Sequence, residues 1–171
     1  LKSHLPEKLL SLCHRIKECL PNVPQKSENG KTYILPAEKF DELKNSETPE
    51  LYAVYPFRLF GVGKPNLDVA IETFKRRRIK RTGGWTQDPI QAAYLGLTDT
   101  ARDYTVQNFS TWHQGSRFPA FWGPNFDWIP DQDHGNVSMI ALQSMLMQVN
   151  GKKILLFPAW PEEWDVEFKL H

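Results

Sequence analysis

Apolar residues along most of this chain recur at intervals of three and four positions, which is the spacing of amphipathic helices. The spacing predicts a first helix over residues 4–20, with Ser3 as its N-cap and Pro21 as its stop. A helix broken at Pro56 is predicted within residues 47–60. Further helices are predicted over residues 65–78, 87–96, 98–109 and 136–149.

Strand patterns are fewer and short. Residues 31–37 predict one strand, and residues 152–157 and 164–170 alternate or run apolar like two more. Residues 21–31 are rich in turn formers and predict a loop. The chain is therefore expected to be mainly α. Residues 1–150 would form helical hairpins of a bundle, solenoid or toroid, and residues 151–171 would begin a C-terminal β domain.

Composition narrows the function classes. The 171 residues are 40% hydrophobic with a net charge of +1, so no overall field draws the chain to nucleic acid or an anionic membrane. No apolar stretch predicts a membrane span, and residues 1–20 lack a signal-peptide pattern.

The basic run Lys75–Arg81 is interpreted as a helix end suited to the macrodipole. Cys13 and Cys19 point to different faces of their helix and are predicted to be buried, unpaired thiols.

All six tryptophans lie in the C-terminal half, many of them in predicted loops. An indole face can cover the apolar C–H face of a pyranose, so this distribution predicts a cleft that binds sugar. Trp160 and Trp164 are instead assigned to the core. The long loop predicted over residues 110–135 is the main candidate, because loops of this length in compact domains are usually functional.

The loop brings carboxylates and aromatic rings into one stretch, which suits acid–base chemistry because burial against indole raises a carboxyl pKa. Two alternatives remain: an aspartate that caps the next helix, or an Asp-x-Asp-His metal site. The candidate residues of the loop are Trp122, Asn125, Asp127, Trp128, Asp131, Asp133 and His134.

Two other segments carry candidate groups. Trp85 and Asp88 place a ring and a carboxylate at a helix start, where they would contact a ligand or only favour the helix N-terminus. Glu47 and Glu50 precede an aromatic-rich helix. They too would either contact a ligand or only favour the helix N-terminus. The chain lacks a Gly-rich phosphate loop and the CxxC, HExxH and GxSxG motifs, and no cofactor is expected.

Taken in order, several motifs over residues 45–171 resemble the C-terminal half of the catalytic domain of glycoside hydrolase family 95, the α-L-fucosidase family with an (α/α)6 barrel. Leu51–Pro56 (LYAVYP) is similar to the family's Leu-Tyr-x-Leu-Tyr-Pro, and Gly84-Trp85 follows an Arg-rich helix end as in the family. Asp133–Asn136 (DHGN) is similar to Asp-Gly-Asn-Phe-Gly, and Phe157–Trp164 (FPAWPEEW) to Leu-Pro-Ala-x-Pro-x-x-Trp.

The resemblance implies an inverting glycoside hydrolase, with residues 1–150 as the last hairpins of an (α/α)6 toroid. It implies Asp133 as general base, with Asp131 as the alternative. The general acid would be a glutamate among Glu38, Glu47 and Glu50, and Glu47 is favoured. From the chemistry of their side chains rather than from the resemblance, Trp85, Asp88 and the remaining loop residues named above would bind the substrate, since Gln87-Asp88 and residues 118–131 are not features of the family.

The resemblance also has departures and alternatives. Asn45–Glu50 replaces the family's His-Arg-His-x-Ser-His run and His134 alters its Asp-Gly-Asn loop, so the sugar need not be fucose. The expected partners are an oligosaccharide or polysaccharide of plant or host origin and a missing N-terminal part of the same protein, in a periplasmic or secreted setting. The isolated chain would be inactive. A non-catalytic carbohydrate-binding protein is the main alternative, and a helical polysaccharide lyase or epimerase-like toroid is a third.

Overall fold

The computed structural model describes residues 5–42, 46–83, 86–111 and 132–169, with the backbone alone at residues 132–134. Its described residues form five α-helices, a short 3-10 helix and two hairpins, so the chain is mainly helical with a small β part, as the pattern predicts. The helices are α1 Glu7–Cys19, α2 Leu67–Arg76, α3 Asp88–Tyr94, α4 Thr98–Ser110 and α5 Gln132–Leu146. The 3-10 helix is Pro49–Ala53, and the strands are β1 Gln25–Glu28, β2 Lys31–Ile34, β3 Met147–Asn150 and β4 Lys153–Leu156.

Helix α3 is the centre of the molecule. Each of its seven residues is buried, and it packs against both α4 and α5. Ala92 and Ala93 are fully buried and carry only a methyl group, which lets the neighbouring helices approach closely. Gly96 ends the helix as predicted, at φ +69°, and a Cβ there would lie 2.9 Å from Val62.

The first hairpin joins a segment predicted as a loop to one predicted as a strand. Strand β1 lies within the loop predicted over residues 21–31, whereas β2 confirms the strand predicted over residues 31–37. Asn29 and Gly30 both have positive φ and form a two-residue turn, and β1 and β2 pair antiparallel with Glu28 opposite Lys31. The hairpin packs on α2, where the Ile34 amide donates to Thr73 Oγ1 at 2.8 Å. The loop prediction was wrong for β1 because all four of its residues are polar and show no apolar alternation.

The end of α5 differs from the prediction. The helix was expected to reach residue 149, but it ends at Leu146 and β3 begins at once. The Gln148 side chain turns back and donates to the carbonyls of Ala93 and Ser144, both at 2.8 Å, so it replaces bonds that the next helical turn would make. Strand β3 pairs with β4, so the residues on both sides of position 150 belong to one hairpin.

Three smaller differences concern element bounds. The helix predicted within 47–60 is reduced to Pro49–Ala53, which begins with one proline and ends before Pro56. The loop predicted to residue 135 ends earlier, because α5 begins at Gln132. Residues 164–169 form no strand, although Trp160 and Trp164 pack on the core as predicted.

Helix α1 is amphipathic but buries none of its residues in the described structure. Leu9 and Leu12 are each 45% exposed and Ile16 is 52% exposed. Cys13 and Cys19 are exposed and unpaired, so their predicted burial was wrong. The apolar stripe predicted the helix correctly but cannot show whether another element covers it. No helix among the described residues has the length and apolar character needed to cross a bilayer.

Candidate active site

A polar cleft lies between the segment before the 3-10 helix and the start of α3. The cleft is small, with a volume of about 60 Å³, or about 370 Å³ when the open space at its mouth is included. Two segments that the sequence indicated separately meet in this cleft. Glu47 lies on one wall and Asp88 lies on the other. The lining residues are Ser46, Glu47, Thr48, Tyr52, Thr86, Gln87, Asp88 and Gln91.

One wall holds a carboxylate oriented by a phenol. Tyr52 Oη donates a hydrogen bond to Glu47 Oε2 at 2.5 Å, across the first turn of the 3-10 helix. This bond raises the pKa of Tyr52 to about 12, because the phenolate would place a second negative charge beside the carboxylate. Tyr52 therefore keeps its proton at neutral pH and holds Glu47 at the cleft.

The other wall holds a buried ion pair. Arg77 Nε donates to Asp88 Oδ1 at 2.7 Å, and the two side chains are 4% and 5% exposed. Burial raises the pKa of Asp88, and the guanidinium of Arg77 partly offsets this effect. Arg77 also donates to the Phe74 carbonyl and to Tyr104 Oη. Asp88 is thus both a lining residue of the cleft and a partner in the core.

Arg77 is the main residue that the sequence interpretation missed. It belongs to the basic run that was taken as an ordinary helix end, yet it is buried and lies 3.6 Å from the ring centroid of Phe74. The sequence does indicate that Arg77 faces the core, because Ala70, Phe74 and Arg77 are spaced by four and three residues along one face. A charge at the end of an apolar stripe can indicate a buried ion pair.

Two amide oxygens in the cleft lack partners. Gln87 Oε1 and Gln91 Oε1 are both buried and, among the described residues, accept no hydrogen bond. They lie four residues apart, so they share one face at the start of α3. Gln91 as a whole is 1% exposed. Because buried acceptors are normally satisfied, a ligand with hydroxyl donors would suit this face of the cleft.

Glu50 lies outside this cleft, on the second pocket described below. It is 8% exposed, and its Oε2 has no hydrogen-bond partner among the described residues. Burial raises the pKa of Glu50 above its ordinary value of 4.5, and the charge of Arg78 opposes part of that shift. Glu38, the third glutamate considered as general acid, is exposed.

Replacing Glu50 with glutamine is expected to stabilise the protein at neutral pH. A carboxyl group whose pKa is raised on folding favours the folded state most when it is protonated, so the wild type loses stability as the pH rises through the folded pKa of Glu50. Urea unfolding of Glu50→Gln and wild type at about pH 4 and about pH 8 measures this. The gain should be larger at the higher pH, and an equal or larger gain at the lower pH contradicts the assignment.

The remaining predicted site residues lie outside the part of the chain that the structure describes, or are described by their backbone alone. Trp85, Trp122, Asn125, Asp127, Trp128 and Asp131 lie outside the described residues. Asp133 and His134 lie in the first turn of α5, and their side chains are outside the description. Their backbone is helical, which corrects the expectation of a loop at these two positions.

Within the part of the chain that the structure describes, no three His, Cys, Asp or Glu side chains are grouped to hold a metal ion. No protein-family model, curated protein or solved structure matches this chain. An inference about function therefore depends on the side chains that line the cleft and on the sequence motifs.

Proposed function

We propose that the protein containing this chain is an inverting glycoside hydrolase, and that the cleft between Glu47 and Gln91 binds one sugar ring. The observation that supports this most directly is the cleft lining. It combines a carboxylate held by Tyr52 with hydroxyl groups and the amide oxygens of Gln87 and Gln91, which accept no hydrogen bond from the described residues. Of the two carboxylates in the lining, Asp88 is paired with Arg77, so the neutral hydrogen-bonding groups around Glu47 fit a ligand with many hydroxyl groups and no charge.

In the proposed mechanism, Glu47 is the general acid that protonates the oxygen of the leaving group. Asp133, in the first turn of α5, is the general base that activates water on the opposite face of the sugar. An inverting pair requires its carboxyl groups about 6.5–9.5 Å apart, with the water between the base and the anomeric carbon. α5 packs against α3, which supplies part of the cleft, and this neighbourhood supports the pairing.

The proposal includes the helical toroid that the resemblance implies. The consecutive helices α3, α4 and α5 all pack against one another, as successive hairpins of such a fold would. A periplasmic or extracellular location and an oligosaccharide or polysaccharide substrate belong to the same proposal.

Changing Tyr52 to phenylalanine is expected to lower kcat by about tenfold or more with little change in KM. The substitution keeps the ring but removes the donor that holds Glu47, so the proton is delivered from a poorly oriented carboxyl. Steady-state kinetics on a released sugar measure the two constants. Tyr55→Phe is the matched control, since that ring stacks on Tyr94 and does not line the cleft. Equal losses in the two variants would argue against a positioning role for Tyr52.

The alternative is a carbohydrate-binding protein without hydrolysis. The ion pair between Arg77 and Asp88 favours this alternative. Because the pair gives Asp88 a structural role, fewer carboxylates in the cleft remain for catalysis. The two amide oxygens would serve binding equally well.

A screen of the longest natural form of the protein against plant and mucin oligosaccharides decides between these functions. Sugar release is followed by proton NMR from the first minutes. Release of one sugar with an inverted anomeric proton supports the hydrolase. Binding without release supports the binding protein, and an unsaturated product that absorbs in the near ultraviolet indicates a lyase.

A further inference from the structure

A second, larger cleft lies between the β1–β2 hairpin, the 3-10 helix and α2. Its volume of about 410 Å³ is within the range of about 300–1,000 Å³ for small-molecule pockets. Glu50 lines it, whereas Glu47 lines the first cleft. The two sites are therefore built from different side chains of the same short segment.

The cleft contains a polar atom that the protein leaves unsatisfied. Glu50 is more than nine-tenths buried, and its Oε2 lacks a hydrogen-bond partner among the described residues. A buried polar atom without a partner costs about 1–3 kcal/mol, so such an atom in a cleft marks a place where a ligand group would bind.

Four cationic side chains line the same cleft as Glu50: Lys26, Arg76, Arg77 and Arg78. Several of them also have carboxylate partners, since Lys26 pairs with Glu28, Arg76 with Glu28 and Glu72, and Arg77 with Asp88. Arg77 contributes little to binding, because each of its three nitrogen atoms already donates a hydrogen bond, to Asp88, Phe74 or Tyr104, and Asp88 balances its charge. Arg76 uses Nε for Glu72 and Nη1 for Glu28, so the N–H groups of its Nη2 remain for a ligand within the described structure.

The cleft also has aromatic and apolar walls. Tyr33 and Phe40 line the cleft with their rings, and Leu35 and Pro36 add apolar surface. The guanidinium of Arg76 lies over the Tyr33 ring, 4.5 Å from its centroid, which holds both groups in place. Aromatic faces beside hydrogen-bonding groups suit a sugar ring, whose C–H face is apolar and whose edge carries hydroxyl groups.

We propose that this second cleft binds a sugar that carries one acidic group, a carboxylate or a phosphate, with a ring hydroxyl on Glu50 and the acidic group on the arginines at the rim. An amine in place of the hydroxyl is disfavoured, because the arginines repel an ammonium group. The site does not depend on hydrolysis in the first cleft.

Binding is tested with D-glucuronate, glucose 6-phosphate and D-glucose on the purified chain, by saturation-transfer NMR and calorimetry. At least one acidic sugar should bind about tenfold or more tightly than glucose. Binding of glucuronate alone identifies a carboxylate ligand, and binding of glucose 6-phosphate alone identifies a phosphate ligand. Equal binding of glucose, or no binding of any of the three at about 10 mM, overturns the proposal.

Variants then locate the site. Glu50→Leu should weaken binding of the acidic sugar by about tenfold or more, and Arg78→Gln should remove the preference over glucose. Arg78 is exposed, so its replacement keeps the fold even where Glu50→Leu does not. Glu47→Gln is the matched control: it changes the first cleft and should leave this binding unaltered. Unchanged binding in Arg78→Gln, or an equal loss in Glu47→Gln, contradicts the assignment. Loss of glycosidase activity alone bears only on the first cleft.

Discussion

Replacing Arg77 with methionine is expected to destabilise the protein by about 3–5 kcal/mol, because it leaves the buried carboxylate of Asp88 without its cation. Methionine fills much of the same volume, so a cavity contributes little to the loss. The hydrogen bonds from Arg77 to the Phe74 carbonyl and to Tyr104 are lost as well. Urea unfolding with two-state analysis measures the change in free energy.

A double variant separates charge from packing. Arg77→Met with Asp88→Asn should recover part of the loss, since it removes the uncompensated charge but keeps a polar group of the same shape. Arg76→Met is the matched control one position earlier, where the side chain is a third exposed and pairs with Glu72 near the surface. Its effect should be much smaller. Similar losses for the two arginines would show that Asp88 does not depend on Arg77.

Asp133→Asn and Glu47→Gln are each expected to lower kcat by at least about two orders of magnitude if the proposed acid–base pair is correct. Each substitution keeps the shape of the side chain and removes its ability to transfer a proton. Steady-state hydrolysis by the longest natural form of the protein measures the effect, on whichever oligosaccharide the screen identifies.

Asp131→Asn is the matched control for the general base, because it lies two residues away and was the alternative in the same motif. A large loss in Asp131→Asn with near-normal turnover in Asp133→Asn would move the role to Asp131. Near-normal turnover in both aspartate variants would exclude the two-carboxylate mechanism at this loop. It would favour the carbohydrate-binding alternative if the sugar still binds.

Local patterns predicted much of the helical structure. The apolar stripes of α2, α3 and α4 placed each helix within about two residues of its bounds, which is the usual accuracy for helix ends. Gly96 marked the end of α3 correctly. These predictions succeeded because helix periodicity and termination are determined by residues within a few positions of each other.

The errors arose where distant residues decide the conformation. Residues 147–149 continue an apolar run that favours a helix, but pairing with β4 and the bonds of Gln148 make them a strand. β1 is polar throughout and is held by pairing with β2 and by packing on α2. α1 has the stripe of a packed helix yet lies exposed in the described structure.

The sequence by itself determined that the chain is mainly helical and singled out Glu47, Glu50 and Asp88 as candidate groups. Only the tertiary structure decided where each of them lies and what it contacts. It places Glu47 and Asp88 in one cleft and Glu50 in another, and it pairs Asp88 with Arg77 in the core. The physical reason is that a carboxyl group's partners and burial depend on segments far away in the chain. Spacing along the sequence reports only on near neighbours.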